Sequence, residues 1–289
     1  MSEETYRGMD REALDRQYNA RATVPDVTVY VRGYRARTEA AKAELTFHDS
    51  VVYGPGAKEQ CDIYPVGSAP APTFVFIHGG YWRLLSKDDS GLMAPALHEA
   101  GIATVAVDYA LAPAVSLDEI VRQCRLCLSF LHREGRRYGV DPSRIVVGGS
   151  SAGGHLTGMM ITGDWHDTFG VPEDLVKAAL PISPLMDLEP IRLCHVNDWA
   201  NLDAASAAAL SPMHHIGAPP PAIPVCAAVG KNETDEFRRQ CHDFAGAWQK
   251  AGHPAKSFEV EGRNHFDVLY DLNDPDTALF AALMDLFKA

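Results

Sequence analysis

Ser151 stands at the centre of Gly149-Ser150-Ser151-Ala152-Gly153, directly after the apolar run Ile145-Val146-Val147. A Gly-x-Ser-x-Gly run in that setting reads as a nucleophile elbow. A strand breaks sharply into a helix, and small neighbours permit the strained backbone that lifts one hydroxyl clear of the sheet. The chemistry on offer is acyl transfer, in which an oxygen gains negative charge at the transition state and needs amide donors already aimed at it. Upstream, Thr73-Phe74-Val75-Phe76-Ile77 reads as a buried strand breaking into His78-Gly79-Gly80-Tyr81-Trp82. Gly79 and Gly80, with the amide of Ala152, are the expected oxyanion donors, while Ser150 is expected to serve backbone geometry.

A serine hydroxyl needs a base, and in elbow-bearing sheets the partners follow in the order serine, acid, histidine. His265, in Gly262-Arg263-Asn264-His265-Phe266 just past a strand-like segment, is the expected base. The loop after the apolar Val225 to Val229 run offers three carboxylates, Glu233, Asp235 and Glu236. A helix starting near Thr234 or Asp235 would tie the Asp235 side chain to helix amides, which favours Glu233 as the acid. Asp235 is the fallback, and Glu236 reads as a solvated or helix-dipole residue. His155 is expected to pack beneath the elbow, and the adjacent His214 and His215 make a poor chelate.

These side chains need a scaffold that brings several strand ends together. From Thr73 onward, strand-length apolar runs alternate with helical patterns, the signature of a mostly parallel sheet covered by helices on both faces. Strands are expected near 73–77, 104–107, 145–148, 179–182, 225–229 and 257–260, and helices near 90–100, 117–138, 152–162, 235–251 and 277–287. Segments 44–49, 51–53 and 61–64 suggest antiparallel strands at the leading edge. Residues 1–40 read as a helical arm that packs either over the site or at an oligomer interface, a homodimer being the assembly considered. Residues 163–217, irregular and carrying Trp165, Phe169 and Trp199, read as a small lid or cap over the strand ends of a single domain.

The motifs His78-Gly79-Gly80-Tyr81-Trp82, Gly149 to Leu156, Glu236-Phe237-Arg238-Arg239-Gln240 and Asn264-His265-Phe266 together resemble the α/β-hydrolase kynurenine formamidases (arylformamidases) and their bacterial esterase-like relatives. The likeness extends to Tyr6 to Asp10, Tyr18-Asn19 and Ile182 to Pro190, nearly the whole chain. It implies an α/β-hydrolase fold. In that family the acid stands three residues before the Glu-Phe pair, which falls on Glu233. Many related hydrolases carry aspartate there, a conservative difference. The hormone-sensitive-lipase group usually has a third glycine where Tyr81 stands, and the Tyr-Trp version points towards formamidases. The resemblance therefore implies a Ser151-His265-Glu233 serine hydrolase that removes a small acyl group from an acylated aromatic amine such as N-formylkynurenine. A carboxylesterase for small esters and an aryl-acylamidase are the alternatives, and a non-catalytic ligand-binding homologue is a remote one. Tyr81 and Trp82, next to the oxyanion glycines, are the expected substrate-binding wall.

At 289 residues and 46% hydrophobic content the chain can bury a large core. A net charge of −12 argues against nucleic acid or an anionic membrane surface as partner, since both demand basic patches. The polar start and the lack of a long apolar run lead to an expected cytoplasmic location. Cys124 and Cys127 fall inside a helical pattern with no second pair nearby, so core packing is the expected role of the cysteines. No metal or other cofactor is expected, because a triad and oxyanion donors already account for nucleophile and charge stabilisation.

Overall fold

A computed structural model describes residues 5–288. Eight strands form one sheet in the order β1-β2-β4-β3-β5-β6-β7-β8. They are β1 (His48–Val52), β2 (Gln60–Tyr64), β3 (Ala71–Ile77), β4 (Ala103–Val107), β5 (Val140–Ser150), β6 (Val176–Ile182), β7 (Val225–Gly230) and β8 (Ala255–Val260). The pairs from β4 through β3, β5, β6 and β7 to β8 are parallel, and β1–β2 and β2–β4 are antiparallel. This is the α/β-hydrolase fold. The central strands are buried over nearly their whole length, β4 completely, which explains why they read as unbroken apolar runs rather than alternating ones.

Eleven helices accompany the sheet among the described residues: α1 (Arg11–Tyr18), α2 (Val27–Glu44), α3 (Ala94–Glu99), α4 (Leu117–Glu134), α5 (Ala152–Ile161), α6 (His166–Phe169), α7 (Glu189–Arg192), α8 (Asn197–Ala200), α9 (Ala204–Ala209), α10 (Asp235–Lys250) and α11 (Ala278–Leu286). On α4, Leu117, Ile120, Val121, Cys124, Cys127, Leu128 and Leu131 are buried, three- and four-residue spacings that make one apolar stripe. All six cysteines are free and buried. No described helix is long and apolar enough to cross a membrane.

Three features differ from the sequence expectation. Glu44 closes α2 instead of opening a strand, because Ala40 to Glu44 is a run of strong helix formers. The two short strands expected at 44–49 and 51–53 are one strand, β1, broken in register at Ser50, whose φ is 51° and whose amide donates to Asp62 Oδ1 at 2.9 Å. Finally, not all of 163–217 outside the strand already expected at 179–182, which is β6, forms a cap over the strand ends: α6 lies against α4, where Ser129 Oγ donates to the Phe169 carbonyl at 2.7 Å.

Candidate active site

In a parallel sheet every strand presents its carboxyl end at the same edge, and four of those ends carry the predicted residues. The Gly79-Gly80 loop follows β3, Ser151 follows β5, Glu233 follows β7 and His265 follows β8. Ser151 sits between β5 and α5 at φ 58° and ψ −117°, a strained conformation for a residue with a side chain, as the elbow requires. Its amide donates to the Ile182 carbonyl at 2.8 Å, which fastens the turn to β6. A Cβ at Gly153 would run into the Ile77 carbonyl, so glycine there lets α5 start hard against β3. Ser150 is buried beside it.

The loop after β3 meets the elbow at backbone distance: a Cβ on Gly79 would lie 2.7 Å from the Ser150 carbonyl oxygen and 3.3 Å from Ser151 Cβ. Its carbonyls are turned inward and held. Tyr109 Oη donates to the carbonyl of His78 at 2.9 Å and is 3.4 Å from that of Gly79, and His78 Nδ1 donates to the Gly79 oxygen at 2.9 Å. The His78 ring also stacks on Tyr109 at 4.0 Å. The amides of Gly79 and Gly80 have no carbonyl partner among the described residues, and Ala152, first residue of α5, has an amide with no partner inside its helix. Of these three predicted donors, Gly79 lies against Ser151 and Ala152 follows it directly in the chain.

Tyr81 and Trp82 part company. Tyr81 lines the cavity above Ser151, and its hydroxyl donates to the Tyr18 carbonyl at 2.6 Å. Trp82 does not reach the cavity: it is fully buried under the loop, and its indole N–H donates to His155 Nδ1 at 3.2 Å. Both residues have positive φ (50° and 57°), and two successive left-handed residues roll the Trp82 side chain back into the core. The expected wall residue is therefore a support. His155 passes the link on, donating from Nε2 to the Leu210 carbonyl at 2.7 Å, and burial pushes its pKa down to about 4, so the ring is neutral.

The residues expected as acid and base meet. His265 Nδ1 donates to Glu233 Oε2 at 2.5 Å, and both side chains are buried. The other carboxylate oxygen, Oε1, accepts from Ser183 Oγ at 2.6 Å and from the Gly230 amide at 2.7 Å. Phe237 packs against the imidazole with ring centroids 4.4 Å apart. The fallback acid Asp235 points away, its side chain 85% exposed and 3.5 Å from Arg238. It caps nothing: Thr234 is the N-cap of α10, and its hydroxyl donates instead to the Gln17 carbonyl at 2.6 Å. Of the two roles expected for Glu236, it holds the helix-dipole position in the first turn of α10 but is not solvated. It is buried, accepting from Tyr18 Oη at 2.9 Å and pairing with Arg239 at 2.7 Å, because the N-terminal arm folds over α10.

Ser151 and His265 face a cavity of about 450 Å³, and part of its wall is arm, including Tyr18, Ala20, Arg21, Val27, Val31 and Tyr34. Tyr34 Oη donates to the Phe266 carbonyl at 2.6 Å, joining α2 to the histidine loop. From the expected cap only His195 and Trp199 reach the cavity, and Trp165 and Phe169 do not. The arm lies over the site, one of the two placements expected for it, while Ser183 and the individual arm residues at the cavity were not singled out as site residues from the sequence. The only pointer to Ser183 was its place in Ile182-Ser183-Pro184 at a strand end. Among the described residues, Asp15, Cys194 and His195 bring donor atoms of metal-ligating type within 4.8 Å of one another. Their partners are already within the protein, His195 N and Nδ1 facing Asp15 Oδ1 at 2.5 and 3.3 Å and Cys194 Sγ facing the Ile191 carbonyl at 3.4 Å.

The BD-FAE family model matches residues 61–186. Kynurenine formamidase of Danio rerio is 29% identical over 97% of this chain and 98% of its own, and that of Drosophila melanogaster is 24% identical over 80% and 79%. Among solved structures, a provisionally named thioesterase from Silicibacter sp. TM1040 superposes with a TM-score of 0.82 at 29% identity, covering 94% of this chain and 98% of the other. An esterase from Pyrobaculum calidifontis gives 0.71 at 20% identity over 96% and 97%, a likeness of fold. The chain is a hydrolase of the α/β-hydrolase type, similar over nearly its whole length to kynurenine formamidases and, among solved structures, to esterase-like proteins.

Proposed function

We propose that the protein is a serine hydrolase that removes a small acyl group from an aromatic amine, with an arylformamide such as N-formylkynurenine as substrate. The observation that carries this reading is the Glu233-His265 hydrogen bond opening onto the same cavity as the strained Ser151. In the proposed reaction Ser151 Oγ attacks the acyl carbon and gives its proton to His265 Nε2, while Glu233 stabilises the imidazolium through Nδ1. The carbonyl oxygen becomes an oxyanion held by the amides of Gly79, Gly80 and Ala152. As the intermediate collapses, the C–N bond breaks, and the leaving arylamine takes the proton from His265. Water, deprotonated by the same histidine, then attacks the acyl-serine and releases the acid.

The substrate class is supported by the aromatic wall of Tyr18, Tyr34, Tyr81, Trp199 and Phe266, and by full-length similarity to kynurenine formamidases. A small acyl group needs little room, so a pocket narrowed by aromatics admits formyl and disfavours long chains by about 1–3 kcal/mol. A second reading, a carboxylesterase, draws on the esterase neighbours. The test is kcat/KM for N-formylkynurenine, an N-acetyl arylamine and p-nitrophenyl esters of rising chain length. Efficient ester cleavage beside negligible formamide turnover selects the esterase, and an N-acetyl preference selects an aryl-acylamidase.

A further inference from the structure

The cavity above Ser151 has a charge opposite to that of the molecule. The chain carries 38 Asp and Glu against 26 Lys and Arg, yet the charged residues lining this cavity are Arg21 and Arg83, beside the histidines His195 and His265, with no aspartate or glutamate. Both histidines are engaged, His265 with Glu233 and His195 with Asp15. Arg21 and Arg83 have no carboxylate partner among the described residues, although many exposed arginines elsewhere do, such as Arg11 with Asp198, Arg16 with Glu12 and Arg137 with Glu134. Leaving two cations unpaired at one cavity in a chain so rich in carboxylates points to a charge that arrives from outside.

Arg83 is held in a way that suits such a role. Its guanidinium lies over the Trp199 ring at 4.4 Å, and the Trp199 indole is itself fixed by donating to the Tyr81 carbonyl at 3.0 Å. Stacking occupies the face of a guanidinium and leaves its N–H edge free, and that edge matches the two oxygens of a carboxylate. Arg21 enters the same cavity from the arm, just beyond α1.

We propose that Arg83, assisted by Arg21, binds a carboxylate of the substrate remote from the scissile bond, so that the enzyme selects acylated aromatic compounds bearing an acid group. The proposal rests on the hydrolase reading and names its substrate class more narrowly. Anionic substrates should outrun neutral isosteres through a lower KM, because the contact is made in the ground state as well as in the transition state. Rising salt should erode the preference, since both arginines are exposed.

The experiment compares matched pairs: 4-(2-formamidophenyl)-4-oxobutanoate, which is N-formylkynurenine without its amino group, against its carboxamide, and 4-acetoxyphenylacetate against 4-acetoxyphenylacetamide. The acid should be preferred within each pair that is turned over, and Arg83→Gln should cut that preference by roughly tenfold, Arg83→Lys by less, and Arg21→Gln by a smaller factor. An acid-to-neutral ratio near one in the unaltered protein, or a ratio unmoved by Arg83→Gln, overturns the proposal. If neither pair is turned over, the hydrolase reading fails separately. The Kd of 4-(2-formamidophenyl)-4-oxobutanoate against its carboxamide, measured by calorimetry on the unaltered protein and on Arg83→Gln, then decides this one: tighter acid binding that Arg83→Gln removes supports it, and equal affinities overturn it.

Discussion

Ser183 and His265 bind opposite oxygens of one carboxylate: Ser183 Oγ donates to Glu233 Oε1 at 2.6 Å, and His265 Nδ1 to Oε2 at 2.5 Å. The serine holds the glutamate so that its second oxygen is presented to the imidazole. Ser183 is itself at φ 46°, and its amide donates to the Ala228 carbonyl at 2.7 Å, so its position is set by the turn after β6. Ser183→Ala is expected to lower kcat by roughly fivefold, the worth of one hydrogen bond, with the fold intact by circular dichroism. Glu233→Gln should cost on the order of 10⁴ in kcat, as loss of the orienting carboxylate does in other serine triads. Asp235→Asn, on an exposed side chain, should leave kcat unaltered. A collapse with Asp235→Asn alone would reassign the acid.

Ser151→Ala should lose on the order of 10⁴-fold or more in kcat. A fluorophosphonate should add one mass increment to the peptide containing Ser151, at Ser151 and not at Ser150. Stoichiometric labelling of Ser150, or normal turnover by Ser151→Ala, contradicts the assignment.

Trp82 holds the loop from beneath, so its substitution should be felt as stability. Trp82→Ala should cost about 3–5 kcal/mol in unfolding free energy, and Trp82→Phe, which keeps most of the packing and removes the bond to His155, about 1–2 kcal/mol. Activity per folded molecule of Trp82→Phe should stay close to that of the unaltered protein. Reduced kcat/KM with an unchanged melting temperature would return Trp82 to the substrate wall.

His155 predicts an acid limb in stability. Burial lowers its folded-state pKa from the ordinary 6.5 to about 4, so protons bind the unfolded chain more tightly. Its contribution is complete above about pH 6.5 and is lost as pH falls towards about 4, a window worth about 3 kcal/mol. His155→Gln removes that titration. Denaturant melts across the window should show the gap between the two proteins narrowing as pH falls, and a constant gap would mean that His155 does not titrate as described.

How far the sequence reads depends on whether a signal is local. The sheet strands from 73 onward, the elbow and the histidine loop are written in contiguous residues, because a buried parallel strand and a glycine-rich turn each carry their own composition. Glu233 could be selected by counting from a strand end. What escaped is set by contacts across the chain. The burial of Glu236 comes from Tyr18, 218 positions away, and that of Trp82 from His155, 73 positions away. Trp165 and Trp199 look alike in sequence, and only the path of β6 through the sheet sends one to α4 and the other to the cavity.

Tyr18 is bound at both ends, its carbonyl accepting from Tyr81 and its hydroxyl meeting Glu236 and Gln240. Burial raises the phenol well above its usual pKa and keeps the hydroxyl protonated. One residue thus fastens the arm to the oxyanion loop on one side and to α10 on the other. The floor of the cavity is encoded from residue 79 onward, and much of its wall in residues 18–34. Part of the cavity wall is in this way carried by a stretch of sequence separate from the strand ends that hold Ser151, Glu233 and His265. An arm exchanged between two relatives, if it kept its tyrosine anchor, would transplant a wall onto an unchanged catalytic floor, so that specificity could change by substitutions far from any residue that takes part in the reaction.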